Sequence, residues 1–197
     1  MEKISVKTES RRILADIITP VSIYLKIRDI YPDSLLLESS DYHSKENSFS
    51  FICMEPLAEF MVDRGVIRMV WPGREPVEIR AGSGERVADH LDRFISSFEF
   101  LDGEEEMVID GLFGYCTYDA VQYFEEISFT SAVSEKEEIP EIRYNFYRFI
   151  LAINHLTNEL ILFENIVNGG PGDINRVATL LHNRNIATYG FDISGRE

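Results

Sequence analysis

The residues of this sequence whose types and spacing favour binding chemistry stand at the end of a short apolar run. Leu35 to Leu37 form that run, and Glu38 and Ser39 follow it directly. A buried strand that ends in this way places backbone amides, a carboxylate and a hydroxyl at a rigid, partly apolar edge, where the polar groups of a small ligand can be met. Taken alone, the pattern fits either a ligand-binding edge at Glu38 and Ser39 or any buried strand that ends in a polar turn.

Catalytic and metal-binding patterns are missing from the rest of the sequence. The four histidines, His43, His90, His155 and His182, have no partner at metal-ligand spacing, and no His-Glu-x-x-His or Cys-x-x-Cys motif occurs. His90 falls within a predicted helix and is expected to face solvent. There is no Gly-x-Ser-x-Gly elbow and no phosphate-binding loop. We therefore predict no catalytic residue and no metal site in this chain.

An excess of acidic residues excludes several classes of partner. The 197 residues include 34 acidic and 19 basic side chains, which gives a formal net charge of −15. Such a surface is repelled by nucleic acid and by anionic membranes. No apolar stretch is long enough for a signal peptide or a membrane span, and Cys53 and Cys116 are expected to be reduced core thiols. These features predict a cytoplasmic protein that binds neither nucleic acid nor membrane.

A helix is predicted just before the apolar run that ends at Glu38. Thr19 supplies a hydroxyl for the N-cap, and Pro20 fits the first helical position because the N–H that it lacks would have no intrahelical partner. Apolar residues then recur at spacings of three and four, until Tyr31-Pro32-Asp33 ends the pattern. This helix is expected over about 20–30.

The remaining apolar patterns predict several strands and few helices. Asp63-Arg64-Gly65 and the polar segment 154–159 are turn signals between strands, and strands joined by tight turns must run antiparallel. We therefore predict an α+β fold of antiparallel β-sheets packed against each other, with helices on the outer faces. The strands are expected at 3–16, 35–37 (buried on both faces), 49–54, 60–62, 66–71, 77–79, 111–115, 144–153 and 160–166, and further helices at 85–98, 119–125 and 173–183. Pro56 is expected to interrupt the chain between two of these strands.

Four short segments form a pattern that extends over most of the chain, from about residue 16 to 166. They are Thr19-Pro20-Val21, Leu35 to Ser39, Ser48 to Ile52 with Glu55-Pro56 after it, and Gly111 to Tyr115 followed by Asp119. In order and spacing they resemble the N-terminal region of anthranilate synthase component I, a family of chorismate-utilising enzymes.

The resemblance implies a fold, an activity and partners. Residues 1–197 are expected to form one regulatory domain, half of an α/β/β/α fold, without the catalytic chorismate-binding domain and inactive alone. The full enzyme makes anthranilate and pyruvate, in tryptophan biosynthesis, from chorismate and from ammonia that a glutaminase subunit (component II) releases from glutamine. Magnesium is expected in the full enzyme and no cofactor in this domain.

The resemblance also implies an allosteric feedback-inhibition site for L-tryptophan, to which the family's Glu-Ser motif belongs. That motif carries over to Glu38 and Ser39, and Pro20 is expected to border the same pocket. Free N–H groups at the start of the helix are expected to face the ligand carboxylate. Phe49 and Phe51 either offer a stacking surface for the indole or are core strand residues.

One departure from the family pattern concerns charge. Many members carry arginine or lysine near the Ser-Phe-Ile segment, where this chain has Ser48 and Phe49. A cation expected near the inhibitor is therefore missing, and Lys45 is either its replacement or a solvated loop residue.

Two other functions remain open on the sequence. Aminodeoxychorismate synthase component I shares the fold, although the Leu-Glu-Ser form of the motif favours anthranilate synthase. A non-enzymatic protein-interaction module would use the acidic surface to dock a basic partner.

Overall fold

Nine strands, three α-helices and one 3-10 helix make up the part of the chain that the structure, a computed structural model, describes: residues 3–14, 19–38, 48–82, 84–101, 109–127, 139–157 and 159–182. None of these helices is long and apolar enough to span a bilayer. The strands are β1 (Ile4–Leu14), β2 (Leu35–Glu38), β3 (Phe49–Asp63), β4 (Val66–Val70), β5 (Val77–Arg80), β6 (Phe98–Phe100), β7 (Phe113–Cys116), β8 (Ile142–Asn154) and β9 (Glu159–Val167). The α-helices are α1 (Pro20–Ile27), α2 (Val87–Ile95) and α3 (Ile174–His182), and the 3-10 helix spans Tyr118–Tyr123.

The strands form one sheet in the order β5-β4-β3-β8-β9-β1-β6, with β2 also paired to β3 and β7 to β8. All pairs are antiparallel except β1 with β6, which is parallel. The prediction of an α+β fold dominated by antiparallel strands is confirmed. We expected several sheets packed against each other. Within the described residues, the strands form a single nine-stranded sheet instead.

Strand β3 corrects one boundary that the sequence suggested. Pro56 does not interrupt the strand, because β3 runs unbroken from Phe49 to Asp63. The register against β8 instead shifts between Pro56 and Ala58, and Glu55 has a φ of 59°. A bulge of this kind accommodates a proline within a sheet, since the residue at a bulge need not donate to the ladder.

Three clusters of buried apolar side chains hold the sheet and helices together, and each large side chain buried in them contributes about 1.5–3 kcal/mol. The first joins β4, near one end of the strand order, to β1 and β6 at the other, so the sheet curves around it together with α2. The second lies between the sheet and helices α1 and α3. The third lies on the opposite face from the second, since Ile52 and Cys53 are neighbours in β3 and belong to different clusters.

His90 is buried rather than solvent-facing, so that expectation was wrong. Only 4% of the residue is exposed, because His90 lies on the same face of α2 as the buried Val87 and Phe94. Its Nε2 is 2.5 Å from Glu85 Oε2, which provides a polar partner for the buried ring. Cys116 differs in the other direction: it is exposed at the end of β7, whereas Cys53 is a buried thiol as expected.

Gly114, in the Gly-Leu-Phe-Gly-Tyr segment, lies where β7 approaches β8 closely. A Cβ atom at this position would lie 1.9 Å from the backbone oxygen of Arg143 and 2.8 Å from Tyr144 Cα. Backbone atoms cannot yield locally, so we predict that Gly114→Ala lowers the free energy of unfolding by about 3 kcal/mol or more. Gly111→Ala is the matched control, because a Cβ there meets nothing within 4 Å. Urea denaturation that gave equal midpoints for the two variants would contradict this assignment.

Candidate functional site

Helix α1 begins where the sequence predicted, and Thr19 caps it. Thr19 is in an extended conformation, and its side chain accepts a hydrogen bond from the Ser22 amide at 3.2 Å. The Ile23 amide donates to the Thr19 carbonyl at 3.1 Å, which is the first regular hydrogen bond of the helix. The Ser22 amide is therefore already bonded and Pro20 has no N–H, so fewer N–H groups are free to face a ligand than we expected.

The connection between α1 and β2 folds the chain back on itself. Helix α1 has eight residues, about 12 Å of rise, and β2 has four residues, about 13 Å. The short turn between them brings the end of the helix to the start of the strand, and the Tyr24 hydroxyl donates to the Ser34 carbonyl at 3.4 Å. Helix α1 covers β2, since Leu36 packs against the cluster that contains Ile23 and Ile27.

Strand β2 pairs with β3, and the register decides which of its side chains face α1. Leu36 lies opposite Ile52 and Glu38 lies opposite Ser50. Leu36 and Ile52 belong to the cluster that α1 covers, and alternate residues of a strand share a face. Glu38 and Ser50 therefore lie on the α1 face. The residues of β2 are only partly buried and Glu38 is exposed, so the prediction that this strand is buried on both faces was wrong. In the described structure β2 pairs with β3 along one edge.

Ser50 and His155 form a polar pair beside Glu38 that the sequence did not indicate. The Ser50 hydroxyl is 2.8 Å from His155 Nε2, and Ser50 is fully buried. The His155 amide also donates to the Ser48 carbonyl at 3.0 Å, which extends the β3–β8 ladder into the hairpin turn. The signal that could have found the pair is the period of two along the strands, which needs the register between them.

Phe49 lies on the other face of the sheet from Glu38 and Ser50. Its ring stacks on Phe51 with centroids 6.1 Å apart, and Phe51 contacts Phe113 at 5.5 Å. All three rings pack against the third cluster, as side chains of a core strand do. Phe49 can therefore reach a ligand held beside Pro20 only around the end of β2. Ser39 and Lys45 lie outside the described residues.

Two cavities formed by described residues lie away from Pro20 and Glu38. The larger, about 500 Å³, is open and lies between β1 and the start of α3, where Lys7, Glu9 and Asp173 line it. The smaller, about 110 Å³, lies between the start of β2 and strands β7 and β8. Neither contributes to the edge that the sequence singled out.

Two successive hydrogen bonds, with defined donors and acceptors, line the smaller cavity. The Tyr147 hydroxyl donates to the Asp33 carbonyl at 3.2 Å and accepts from Asn145 Nδ2 at 3.2 Å. Burial raises the pKa of Tyr147 to about 12, so the hydroxyl keeps its proton. Asn145 Oδ1 has no hydrogen-bond partner among the described residues, although Asn145 is buried. This oxygen is itself covered by neighbouring atoms, so it does not form an open ligand site.

The described residues contain no cluster of three or more metal-ligating side chains. Divalent magnesium prefers several carboxylate or carbonyl oxygens in octahedral geometry. No group of three or more His, Cys, Asp or Glu side chains lies close enough together to hold a metal in the described part of the chain. We therefore assign no ligand of the expected magnesium to these residues.

Comparison with known proteins finds curated relatives that share one name. No family model matches the chain. The chain is similar to proteins named anthranilate synthase component 1: 23% identical over 155 residues to that of Lactococcus lactis, 28% over 149 residues to that of Thermus thermophilus, and 27% over 168 residues to that of Mycolicibacterium smegmatis. These matches cover 78%, 76% and 83% of the chain, respectively.

The matched proteins are much longer than the part that corresponds to this chain. The matches cover 31%, 30% and 30% of the length of these three relatives. Among solved structures, the chain is similar to the crystal structure of anthranilate synthase component I from Streptococcus pneumoniae, with a TM-score of 0.48 and 17% identity. That match covers 89% of this chain and 37% of the other.

Proposed function

We propose, from the confirmed resemblance of this chain to anthranilate synthase component I, that residues 1–197 form its regulatory domain and carry a feedback site for L-tryptophan. The domain is not catalytic alone. We use the term complete enzyme for this chain together with a chorismate-binding catalytic part, on the same polypeptide or on a separate one.

One observation carries the tryptophan site. Helix α1 packs against β2, and the register puts Glu38 on the face that α1 covers, opposite Ser50. This packing supports the assignment of Pro20 and Glu38 to one pocket, which the resemblance implies. Ser39 follows Glu38 directly and belongs to the proposed site, whereas Phe49 lies on the opposite face and remains a weaker contact.

The chemistry of this edge suits an amino acid with a large apolar side chain. The Glu38 carboxylate is exposed and can accept a charge-assisted hydrogen bond from an α-ammonium group. Pro20 and the neighbouring apolar side chains of α1 offer a surface for an aromatic ring, which gains most from burial of its faces. The positive end of the α1 dipole favours a carboxylate nearby, although the cap already occupies the Ser22 amide.

The activity belongs to the complete enzyme in this proposal. The catalytic part converts chorismate and ammonia to anthranilate and pyruvate, and magnesium supplies charge neutralisation there. A glutaminase subunit, component II, supplies the ammonia. If tryptophan binds better to an inactive arrangement of the two parts, it lowers the affinity for chorismate, and chorismate lowers the affinity for tryptophan by the same factor.

Calorimetric titration of the complete enzyme with L-tryptophan tests the proposal. We expect saturable binding at one site for each chain, and Glu38→Ala should weaken it about tenfold or more, because a charge-assisted hydrogen bond contributes about 1.5–3 kcal/mol. Glu99→Ala is the matched control, since Glu99 is an exposed glutamate in β6, at the far end of the sheet. Absence of binding to the unmodified complete enzyme, or equal binding by both variants, would overturn the proposal.

A further inference from the structure

We propose that His155 is a binding residue of the tryptophan site and provides the N–H group that meets the ligand's carboxylate. This inference rests on the proposed function. A zwitterionic amino acid needs an acceptor for its ammonium group and a donor for its carboxylate, and Glu38 can serve only the first. The fold brings His155 to the same end of the sheet from a distant part of the chain.

Three neighbouring strands place the groups in a row. Glu38 in β2 lies opposite Ser50 in β3, and Ser50 lies opposite Ile153 in β8. His155 follows Ile153 by two residues, and its amide continues the ladder to Ser48, so its side chain lies on the same face as Ser50. Ser50 is thus flanked by a carboxylate on one side and by an imidazole on the other.

The hydrogen bond to Ser50 anchors the ring of His155. Ser50 is fully buried, and its hydroxyl is 2.8 Å from His155 Nε2. In the tautomer that the proposal assigns, the hydroxyl donates to the lone pair of Nε2 and the neutral ring carries its proton on Nδ1. A protonated ring carries a proton on Nδ1 as well. Since His155 itself is exposed, this N–H is available to a carboxylate at the edge.

The arrangement compensates for the missing arginine or lysine near Ser48 without using Lys45. The backbone amide of His155 is bonded to Ser48 and its ring is anchored at Nε2 by Ser50, so little side-chain entropy is lost when a ligand binds. Glu38 is therefore expected to bind the ammonium group of the amino acid, and His155 its carboxylate.

Substitution of His155 in the complete enzyme, with two ligands, tests this assignment. His155→Ala should weaken L-tryptophan about tenfold or more and leave the binding of tryptamine, which lacks the carboxylate, unchanged. His155→Gln, which retains an N–H donor, should recover part of the loss for tryptophan. Leu156→Ala in the same turn is the control, because this exposed side chain should affect neither ligand. The Michaelis constant of this control variant for chorismate should stay the same.

The outcomes separate this inference from the proposal on which it rests. If Glu38→Ala weakens tryptophan and His155→Ala does not, the role of His155 is wrong and the tryptophan site stands. An equal loss for tryptophan and tryptamine, or no recovery with His155→Gln, would show that His155 only supports the turn and would likewise overturn its role. If the unmodified complete enzyme does not bind tryptophan, both proposals fail.

Discussion

The complete enzyme carrying Ser39→Phe is expected to keep its turnover number, whereas its inhibition constant for L-tryptophan should rise about 100-fold or more. Ser39 directly follows Glu38, at the end of the strand that the proposed site occupies. A phenyl ring there would fill the space of the ligand, and overpacking of about 3 kcal/mol corresponds to about two decades in affinity. Steady-state assays of anthranilate formation over a range of tryptophan concentrations measure the change.

The control for this variant is Ser39→Ala, which removes the hydroxyl without adding volume. Its inhibition constant should rise by less than that of Ser39→Phe, because one neutral hydrogen bond contributes about 1 kcal/mol. Unchanged inhibition by tryptophan in Ser39→Phe would show that the residue lies away from the inhibitor and would contradict the site.

The second large effect is expected on stability, from Arg148→Met. Arg148 Nη2 is 2.9 Å from Glu164 Oε1, and Glu164 is fully buried in β9. The same carboxylate accepts two hydrogen bonds, at 2.9 and 2.7 Å, from the Asp173 amide just before α3. Removal of the arginine leaves a buried carboxylate without its cation, which costs about 3–5 kcal/mol. Urea denaturation followed by circular dichroism measures the loss.

Two further variants distinguish a buried ion pair from a surface one. Arg176 bridges Glu55 and Asp173 but is 49% exposed, so Arg176→Ala should cost at most about 1 kcal/mol. Adding Glu164→Gln to Arg148→Met should restore part of the stability, since the unpaired charge is then absent. Equal losses for the Arg148 and Arg176 variants would contradict the importance that we give to burial of Glu164.

Local sequence signals were sufficient to predict most elements of the fold. The start of α1 depends on Thr19 and Pro20 alone, and both occupy the predicted positions. The turn at Asp63-Arg64-Gly65 needs a left-handed backbone, which glycine adopts readily, and it joins β3 to β4 as predicted. The continuity of β3 through Pro56 could not be predicted in this way, because a bulge depends on the partner strand and not on the proline itself.

Only part of the proposed site could be predicted from the sequence, because the rest depends on the register between strands. Pro20 could be identified because it begins a helix, and Glu38 because it ends a strand. Which face Phe49 and Ser50 present depends on their pairing with β2 and β8, since a shift of one residue exchanges the two faces. The contact of Ser50 with His155 spans 105 residues, and no local pattern marks a contact at that separation.

The most direct test of the proposed tryptophan site is a crystal structure of the complete enzyme grown with saturating L-tryptophan. The account predicts one tryptophan beside Pro20, with its ammonium group within about 3 Å of the Glu38 carboxylate and its carboxylate turned toward His155. Tryptophan bound on the Phe49 face of the sheet, bound elsewhere in the enzyme, or missing from the electron density at saturation would contradict the account.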